Sequence, residues 1–278
     1  MNISAKTRLC LIIGDPVGHS LSPAMHNAAY EALKIDDRFV FVAAQVPVDE
    51  VKQVVKTVRT LNIRGLTCTM PHKIEVMKHL DWIDSAANKI GAVNSVVNED
   101  GILKGYNTDW LGAVTPLEKI ASLKNMPVAV IGAGGAARAI IYGLTHRQAC
   151  VTIFNRNLQK AQSLASEFNC KAKSLDNLSI LPNFKIIINA TSLGMGEQHK
   201  LTPIPQQYLS KIHIVFDIVY DPPHTRLLAE AKTKGATVIA GWEMLLYQGT
   251  PQFELYTNRK APESVMRSVL LKHLKPYE

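Results

Sequence analysis

The sequence predicts an α/β fold in two domains, and three observations lead to this prediction. Short apolar runs typical of strands alternate with amphipathic stretches typical of helices along the chain. The length of 278 residues exceeds what a single hydrophobic core usually covers. The apolar run 127–131 ends abruptly in a Gly-rich turn that opens a helix.

The Gly-rich turn is typical of a nucleotide-binding βα unit. Gly132 permits the tight turn, Gly134 lets the backbone approach a pyrophosphate, and the small Ala137 permits close helix packing. The pyrophosphate would lie at the helix N-terminus. Turns of this kind also serve as plain connections between a strand and a helix. The strand that follows the helix is therefore used to decide whether this turn binds a nucleotide.

The next strand indicates which dinucleotide is bound. The apolar run 150–154 ends in Asn155 and Arg156, where an acidic residue would bind a ribose 2′-hydroxyl. An arginine at this place favours a 2′-phosphate. The sequence therefore predicts NADP rather than NAD.

Composition predicts a cytoplasmic enzyme that is ordered throughout. Apolar residues make up 47% and charged residues 19%, without repeats or low-complexity tracts, and the first apolar segment is too short for a signal peptide or a membrane span. The net charge of +8 is spread along the chain without a dense basic cluster, so it is interpreted as a solvated basic surface, with binding of small anions or of nucleic acid as the alternatives. Four cysteines without metal-ligand spacing are interpreted as buried free thiols: Cys10, Cys68, Cys150 and Cys170.

The first loop contains two serines, of which one has a predicted structural role and the other does not. It follows a predicted strand over 9–13 and precedes a predicted helix over 22–33. Ser22 before Pro23 predicts a helix N-cap with proline at the first helical position. Ser20 has no such structural role, and with Ser22 it forms a pair of neutral donors that suits a small carboxylate.

Lys73 is a candidate for proton transfer. A further strand and helix are predicted over 39–44 and 49–61, and the strand ending at Met70 is followed by Pro71, which predicts a helix start and a helical stretch to Lys89. Lys73 would then lie in the first turn, where a cation opposes the helix dipole and is poorly explained by stability alone. The alternative is an ordinary solvated lysine, and neighbouring His72 is interpreted as a surface or packing residue.

Two further polar residues interrupt apolar patterns before the Gly-rich turn. Asn94 lies within the strand-like run 90–97, and a buried amide needs hydrogen-bond partners. Asp109 starts a helix directly after a strand, so it is either an N-cap or the partner of Lys73 in proton transfer.

Three later strands end in polar residues, at the sheet edge where α/β proteins bind ligands. The first begins at Phe184 and breaks into small polar residues, the second begins at Ile214 with Tyr220 just past it, and the third covers 237–240. Thr225 is predicted to cap the next helix. Gln248 lies on an otherwise apolar helical face, either as a solvated edge or as a reader of hydroxyl groups, and a last helix over 262–274 closes a domain.

Together these motifs resemble the shikimate dehydrogenase family over nearly the whole chain. The segments with this resemblance are 14–16 with 19–23, 69–73, 91–94, 107–110, 132–137, 189–195 and 217–220. The resemblance implies a substrate domain of residues 1–108 plus 241–278, completed by the C-terminal helices. It also implies a Rossmann-type NADP-binding domain of residues 109–240, and a cleft where shikimate meets NADP.

The resemblance also implies roles for individual residues. Lys73 and Asp109 would be the catalytic pair in the NADPH-dependent reduction of 3-dehydroshikimate to shikimate, in aromatic amino acid biosynthesis, without a metal. The substrate ligands would be Ser20, Ser22, Thr69, Lys73, Asn94, Asp109, Tyr220 and Gln248. The cofactor would be faced by Gly132, Ala133, Gly134, Gly135, Ala136, Asn155, Arg156, Asn157, Lys160, Thr191, Ile218, Gly241 and Met244.

Three positions depart from the family pattern, and two other functions are considered. Thr67, Asn157 and Glu243 stand where many relatives have Asn, Thr and Gly. Because Arg156 and Lys160 remain, NADP is retained as the predicted cofactor. The alternatives are an NAD-dependent quinate/shikimate dehydrogenase and a catalytically silent ligand sensor. We expect a monomer or a homodimer that binds neither nucleic acid nor a membrane.

Overall fold

The computed structural model describes residues 3–274 and divides the chain into two units by its internal contacts. The first unit runs to Thr108 and resumes over Gln248–His273, and the second covers Asp109–Tyr247. The division falls inside one helix rather than at residue 240, and the domain boundaries named above stay a prediction. Two sheets of mainly parallel strands with helices confirm the α/β fold class.

The first unit contains a six-stranded mixed sheet. Its strands are β1 (Arg8–Gly14), β2 (Phe39–Gln45), β3 (Gly65–Cys68), β4 (Trp82–Ile83), β5 (Ser95–Glu99) and β6 (Ile102–Tyr106). The strand order is β2-β1-β3-β5-β6-β4. β1 runs parallel to β2 and β3, whereas β5 is antiparallel to β3 and β6. The helices between these strands are α1 (Ser22–Ala32), α2 (Val51–Thr60) and α3 (Ser85–Ile90).

The second unit is a six-stranded parallel sheet. Its strands are β7 (Pro127–Ile131), β8 (Cys150–Asn155), β9 (Lys171–Ser174), β10 (Ile186–Asn189), β11 (Ile214–Asp217) and β12 (Thr237–Ile239). Its helices are α4 (Asp109–Glu118), α5 (Gly135–His146), α6 (Leu158–Glu167) and α7 (Arg226–Thr233). The order β12-β11-β10-β7-β8-β9 reverses direction between β7 and β10, which is the dinucleotide-binding arrangement.

Two helices follow the last strand. α8 (Gly241–Thr257) contains Gln248, and α9 (Glu263–His273) packs against α1 inside the first unit. Within residues 3–274, no helix has the length and apolar character needed to cross a membrane. The same residues contain no cluster of His, Cys, Asp and Glu side chains that could hold a metal ion.

The predicted helix from residue 74 to Lys89 is wrong. Turns follow Met70, a 3₁₀ helix covers Glu75–His79, and the chain then forms β4 and the short α3. Pairing of β4 with β6 interrupts the stretch, and the Asp84 carboxylate then starts α3 by accepting hydrogen bonds from backbone amides of its first turn. Lys73 therefore lies in a turn, and the helix-dipole argument for it does not apply.

The predicted N-cap at Ser22 is also wrong. The N-cap of α1 is Leu21, which makes no side-chain hydrogen bond, and Ser22 is already helical. The amide of Ser22 instead donates to the hydroxyl of Ser20 at 3.3 Å. Ser22 therefore does not stabilise α1 by capping it. The predicted cap at Thr225 is confirmed, because its side chain accepts a hydrogen bond from the amide of Leu228.

The cysteines are all free thiols among the described residues, but they are not all buried. Cys10 and Cys68 are buried, and burial raises the pKa of each thiol to about 12. Cys170 is half-buried and Cys150 is exposed, because Cys150 is the first residue of β8 and precedes the covered part of that strand.

Candidate functional site

The polar side chains predicted as substrate ligands in the first unit lie at one edge of its sheet. The register pairs Ile13 with Cys68 in parallel and Thr67 with Ser95 antiparallel, so the ends of β1 and β3 and the start of β5 share this edge. We call it the ligand edge. The residues that follow or precede these strand ends are Ser20, Ser22, Thr69, Lys73 and Asn94.

Backbone hydrogen bonds hold the loop after β3 at the ligand edge. The amide of Thr69 donates to the carbonyl of Ile13 at 2.9 Å, and the amide of Val93 donates to the carbonyl of Lys73 at 2.8 Å. A Cβ at Gly14 would lie 2.4 Å from Cγ2 of Thr69, so this position requires glycine. Thr69 and Lys73 are consequently tied to both neighbouring strands.

Asn94 is fully satisfied, as a buried amide must be. Its Oδ1 accepts from the backbone amide of Thr108 at 2.8 Å and from the hydroxyl of Ser95 at 2.8 Å. Its Nδ2 donates to Oγ1 of Thr108 at 2.9 Å and to Oε1 of Gln248 at 3.4 Å. Gln248 is buried, so it is not on a solvated edge of its helix. Its amide lies beside Asn94.

For two polar residues near the ligand edge, Thr67 and His72, the sequence predicted no single role. Thr67, noted only as a departure, is buried and its hydroxyl lies 2.9 Å from the hydroxyl of Tyr256. His72 is completely buried, with neither ring nitrogen hydrogen-bonded within residues 3–274, so of its two predicted places the packing one is correct. Its position just after a proline gave no signal for this burial.

The Gly-rich turn of the second unit has the shape that a pyrophosphate requires. Gly132 has φ +113°, and a Cβ there would lie 3.0 Å from the carbonyl oxygen of Ala190. A Cβ on Gly134 or Gly135 would meet no atom within 4 Å, so the space before the helix N-terminus is open. Because α5 begins at Gly135, its free amides point into that space, and these residues fit a dinucleotide.

Two cationic side chains follow the end of β8, where the sequence predicts a 2′-phosphate. Arg156 and Lys160 are exposed, and neither side chain has an ion pair with another residue of the part of the chain that is described. Asn157 has a structural role, because its Oδ1 caps α6 by accepting from the amide of Lys160 at 3.0 Å. Nδ2 of Asn155 donates to the carbonyl of Asn157 at 2.9 Å and fixes the turn between them.

A buried network that sequence reasoning missed joins the ends of β10 and β11. Asp217 accepts from Asn189 at 2.9 Å and from the hydroxyl of Thr225 at 2.6 Å, while Oδ1 of Asn189 accepts from the hydroxyl of Thr191 at 2.7 Å. Burial raises the pKa of Asp217 to about 6, although these hydrogen bonds act in the opposite direction. Polar residues that end buried apolar strands were the available signal.

The remaining predicted residues of the second unit follow the same parallel strands. Ile218 and Tyr220 come after β11, and burial raises the pKa of Tyr220 to about 12. A Cβ at Gly241 would lie 2.4 Å from the carbonyl of Val219, so α8 must begin with glycine here. Met244 is in the first turn of α8 and Asp109 is the buried first residue of α4.

The chain is similar to known families over most of its length. Family models match in three consecutive segments: the shikimate dehydrogenase substrate binding domain over residues 12–96, shikimate/quinate 5-dehydrogenase over 116–219, and the shikimate 5′-dehydrogenase C-terminal domain over 241–271. A shikimate dehydrogenase (NADP(+)) of Methanosphaera stadtmanae is 39% identical, covering 98% of this chain and 99% of the relative. The chain belongs to the shikimate dehydrogenase family.

Solved structures of the family are similar over the same length. A crystal structure of shikimate dehydrogenase in complex with NADP+ has a TM-score of 0.94 at 39% identity, with 98% of each chain covered. The Thermus thermophilus enzyme in complex with NADP(H) and shikimate has a TM-score of 0.89 at 36% identity, covering 96% of this chain and 99% of that one. Because these family members are named with NADP, the NAD-dependent alternative is not favoured.

Proposed function

We propose that this chain catalyses the reversible, NADPH-dependent reduction of 3-dehydroshikimate to shikimate in the shikimate pathway. The observation that most supports the proposal is the ligand edge. Hydroxyl, amide and amine groups lie together there, beside three strand ends of the first sheet. This set matches a small molecule with one carboxylate and several hydroxyls.

The neutral donors are assigned to substrate recognition. Hydroxyls of Ser20 and Ser22 donate to the substrate carboxylate, and Ser22 is free for this because it does not cap α1. The amides of Asn94 and Gln248 can both donate and accept, as recognition of a hydroxyl requires. Thr69 adds a hydroxyl at the end of β3.

Lys73 and Asp109 are assigned to proton transfer. When bound, NADPH supplies the hydride to the carbonyl carbon of the substrate. The Lys73 ammonium donates a proton to the carbonyl oxygen as that oxygen becomes the hydroxyl of shikimate, and in the oxidation the neutral Lys73 amine accepts the proton. Asp109, the buried first residue of α4, orients the reacting hydroxyl.

The cofactor is assigned to the carboxyl edge of the second sheet. The Gly132 turn would hold the pyrophosphate, and Arg156 would bind the 2′-phosphate with a bidentate hydrogen bond, assisted by Lys160. Thr191, Ile218 and the start of α8 follow neighbouring strands of the same edge.

Steady-state kinetics test the proposal. Initial rates are measured with shikimate and with quinate, each with NADP and with NAD, at matched concentrations. The proposal requires the highest kcat/KM with shikimate and NADP, and a higher value with quinate and NAD would contradict it. Cytoplasmic location and a monomeric or homodimeric state are further proposals, which cell fractionation and sedimentation can test.

A further inference from the structure

One face of α8 carries three polar side chains at a spacing of four residues. Gln248, Gln252 and Tyr256 therefore lie along the same side of the helix. Gln252 and Tyr256 are completely buried, and Gln248 is nearly so. Only Gln248 has been assigned to the substrate, so the other two polar groups need a separate explanation.

Gln252 is linked to Asn94 through a single hydroxyl. Its Nε2 donates to Oγ of Ser95 at 2.7 Å, and Oγ of Ser95 donates to Oδ1 of Asn94 at 2.8 Å. An amide nitrogen can only donate, so the serine oxygen accepts from Gln252 and its one proton must go to Asn94. The direction of both hydrogen bonds is thereby determined.

The same direction is required at the other side of Asn94. The backbone amide of Thr108 is also a pure donor, and it donates to Oδ1 at 2.8 Å. Two donors on Oδ1 leave Nδ2 to face Oγ1 of Thr108 and Oε1 of Gln248. Gln248 thus turns its carbonyl oxygen toward Asn94 and its Nε2 away from it.

The other end of the Gln252 amide lies beside the buried ring of His26. No hydrogen bond of good geometry joins Oε1 to that ring, but the contact raises the pKa of His26 against the larger effect of burial. An apolar side chain of similar size at position 252 would keep the packing and lose the donor to Ser95. The helix has other attachments, since Tyr256 is hydrogen-bonded to Thr67 and Arg64 donates to the carbonyls of Leu255 and Tyr256.

We propose that Gln252 and Ser95 are positioning residues that act through Asn94. They hold the Asn94 amide in one orientation and so set which groups Asn94 and Gln248 present to the substrate. The inference rests on the proposed function, because it takes Asn94 and Gln248 as shikimate ligands. It adds two residues that never touch the substrate to the determinants of shikimate affinity.

The test uses Ser95→Ala, Gln252→Met and the double variant in the full-length enzyme. Each single variant is expected to raise KM for shikimate by about three- to tenfold, the range of one neutral hydrogen bond. The KM for NADP and kcat should stay within about twofold, because neither the cofactor nor the proton donor is touched. The double variant should be no worse than Ser95→Ala, since Gln252 acts only through Ser95.

Asn98→Ala is the matched control. Asn98 is a buried amide of β5, the strand of Ser95, but among residues 3–274 its side chain bonds only to the carbonyl of Val58 and the amide of Gly101. It should lower the melting temperature without changing KM for shikimate. If Gln252→Met changes stability and leaves KM for shikimate unchanged, as this control does, the positioning role is overturned.

A second measurement separates this inference from the proposed function. The side-chain NH₂ resonances of Asn94, identified by their loss in Asn94→Asp, are recorded by ¹⁵N NMR without substrate. They should shift in Ser95→Ala and in Gln252→Met and stay unchanged in Asn98→Ala. Unchanged resonances in Gln252→Met overturn the link to Asn94. If the resonances shift in both variants but the wild-type enzyme does not turn over shikimate, the link to Asn94 stands, the proposed function is contradicted, and the positioning role toward shikimate fails with it.

Discussion

At the scale of single residues, the catalytic role of Lys73 most needs an experimental test. The helix predicted around Lys73 is absent, so its role depends on its place at the ligand edge. Lys73→Ala should lower kcat by about 10²–10⁴-fold, the usual contribution of a positioned acid or base. KM for shikimate should change far less. Steady-state kinetics on the folded, NADP-binding variant make this measurement.

Lys78→Ala provides the comparison for Lys73. Lys78 is an exposed lysine of the following 3₁₀ helix whose ammonium pairs with Glu75, so its loss should leave kcat unchanged. Lys73→Met keeps most of the side-chain volume and should reproduce the loss seen with alanine. A Lys73→Ala enzyme that retains turnover within about threefold of wild type would refute the assignment.

Ser20 and Ser22 are predicted to affect binding and not stability. Since Leu21 is the N-cap of α1, Ser22→Ala should change the free energy of unfolding by less than about 0.5 kcal/mol while raising KM for shikimate. Ser20→Ala should behave similarly. Thr225→Ala removes both the cap of α7 and a hydrogen bond to the buried Asp217 carboxylate, so it should cost at least about 1 kcal/mol and gives the comparison in denaturant unfolding. Equal losses of stability in all three variants would show that the serines are structural.

At the scale of secondary-structure elements, the end of β8 is predicted to determine the choice of cofactor. Arg156→Asp should reduce the preference for NADP over NAD, measured as a ratio of kcat/KM values, by at least about tenfold, because a charge-assisted bidentate contact is replaced by repulsion. Lys171→Asp makes the same charge change on β9, at the end of the strand away from the carboxyl edge. An equal effect of both variants would indicate long-range charge rather than direct binding of the 2′-phosphate.

At the scale of the whole molecule, two buried groups give stability opposite dependences on pH. Burial lowers the pKa of His26 from 6.5 to about 3, so the folded state binds fewer protons and its advantage is lost as pH falls below 6.5. Burial raises the pKa of Asp217 from 3.8 to about 6, so its contribution is present below 3.8 and is lost as pH rises toward 6.

Variants separate the two contributions, which oppose each other between pH 4 and 6. His26→Phe keeps a ring stacked on Phe41, and the stability difference between wild type and this variant should decrease as pH falls from 6.5 to 4. For Asp217→Asn the corresponding difference should decrease as pH rises from 4 to 6. Each slope is at most about 1.4 kcal/mol per pH unit. Differences that do not vary with pH in denaturant unfolding would show that neither group is shifted.

Much of the fold could be predicted because it depends on local patterns. Apolar runs predicted five of the six strands described in the second unit, all except β9, and Thr225 was recognised as a cap from its place before a helix. The failures lie where a tertiary contact overrides a local preference. Residues 74–89 have helical periodicity, but β4 pairs with β6 and Asp84 starts a new helix, so the chain is divided.

By itself the sequence determined the two-unit α/β class, the Gly132 turn and the residue types available to a carboxylate, a hydroxyl and a 2′-phosphate. These follow from side-chain chemistry and from periods of two and 3.6 residues. Only the tertiary structure decided that Ser22 does not cap its helix, that Gln248 is buried beside Asn94, and that Ser95 and Gln252 stand behind them. These hydrogen bonds join residues 154 and 157 positions apart, so packing sets them and no local pattern encodes them.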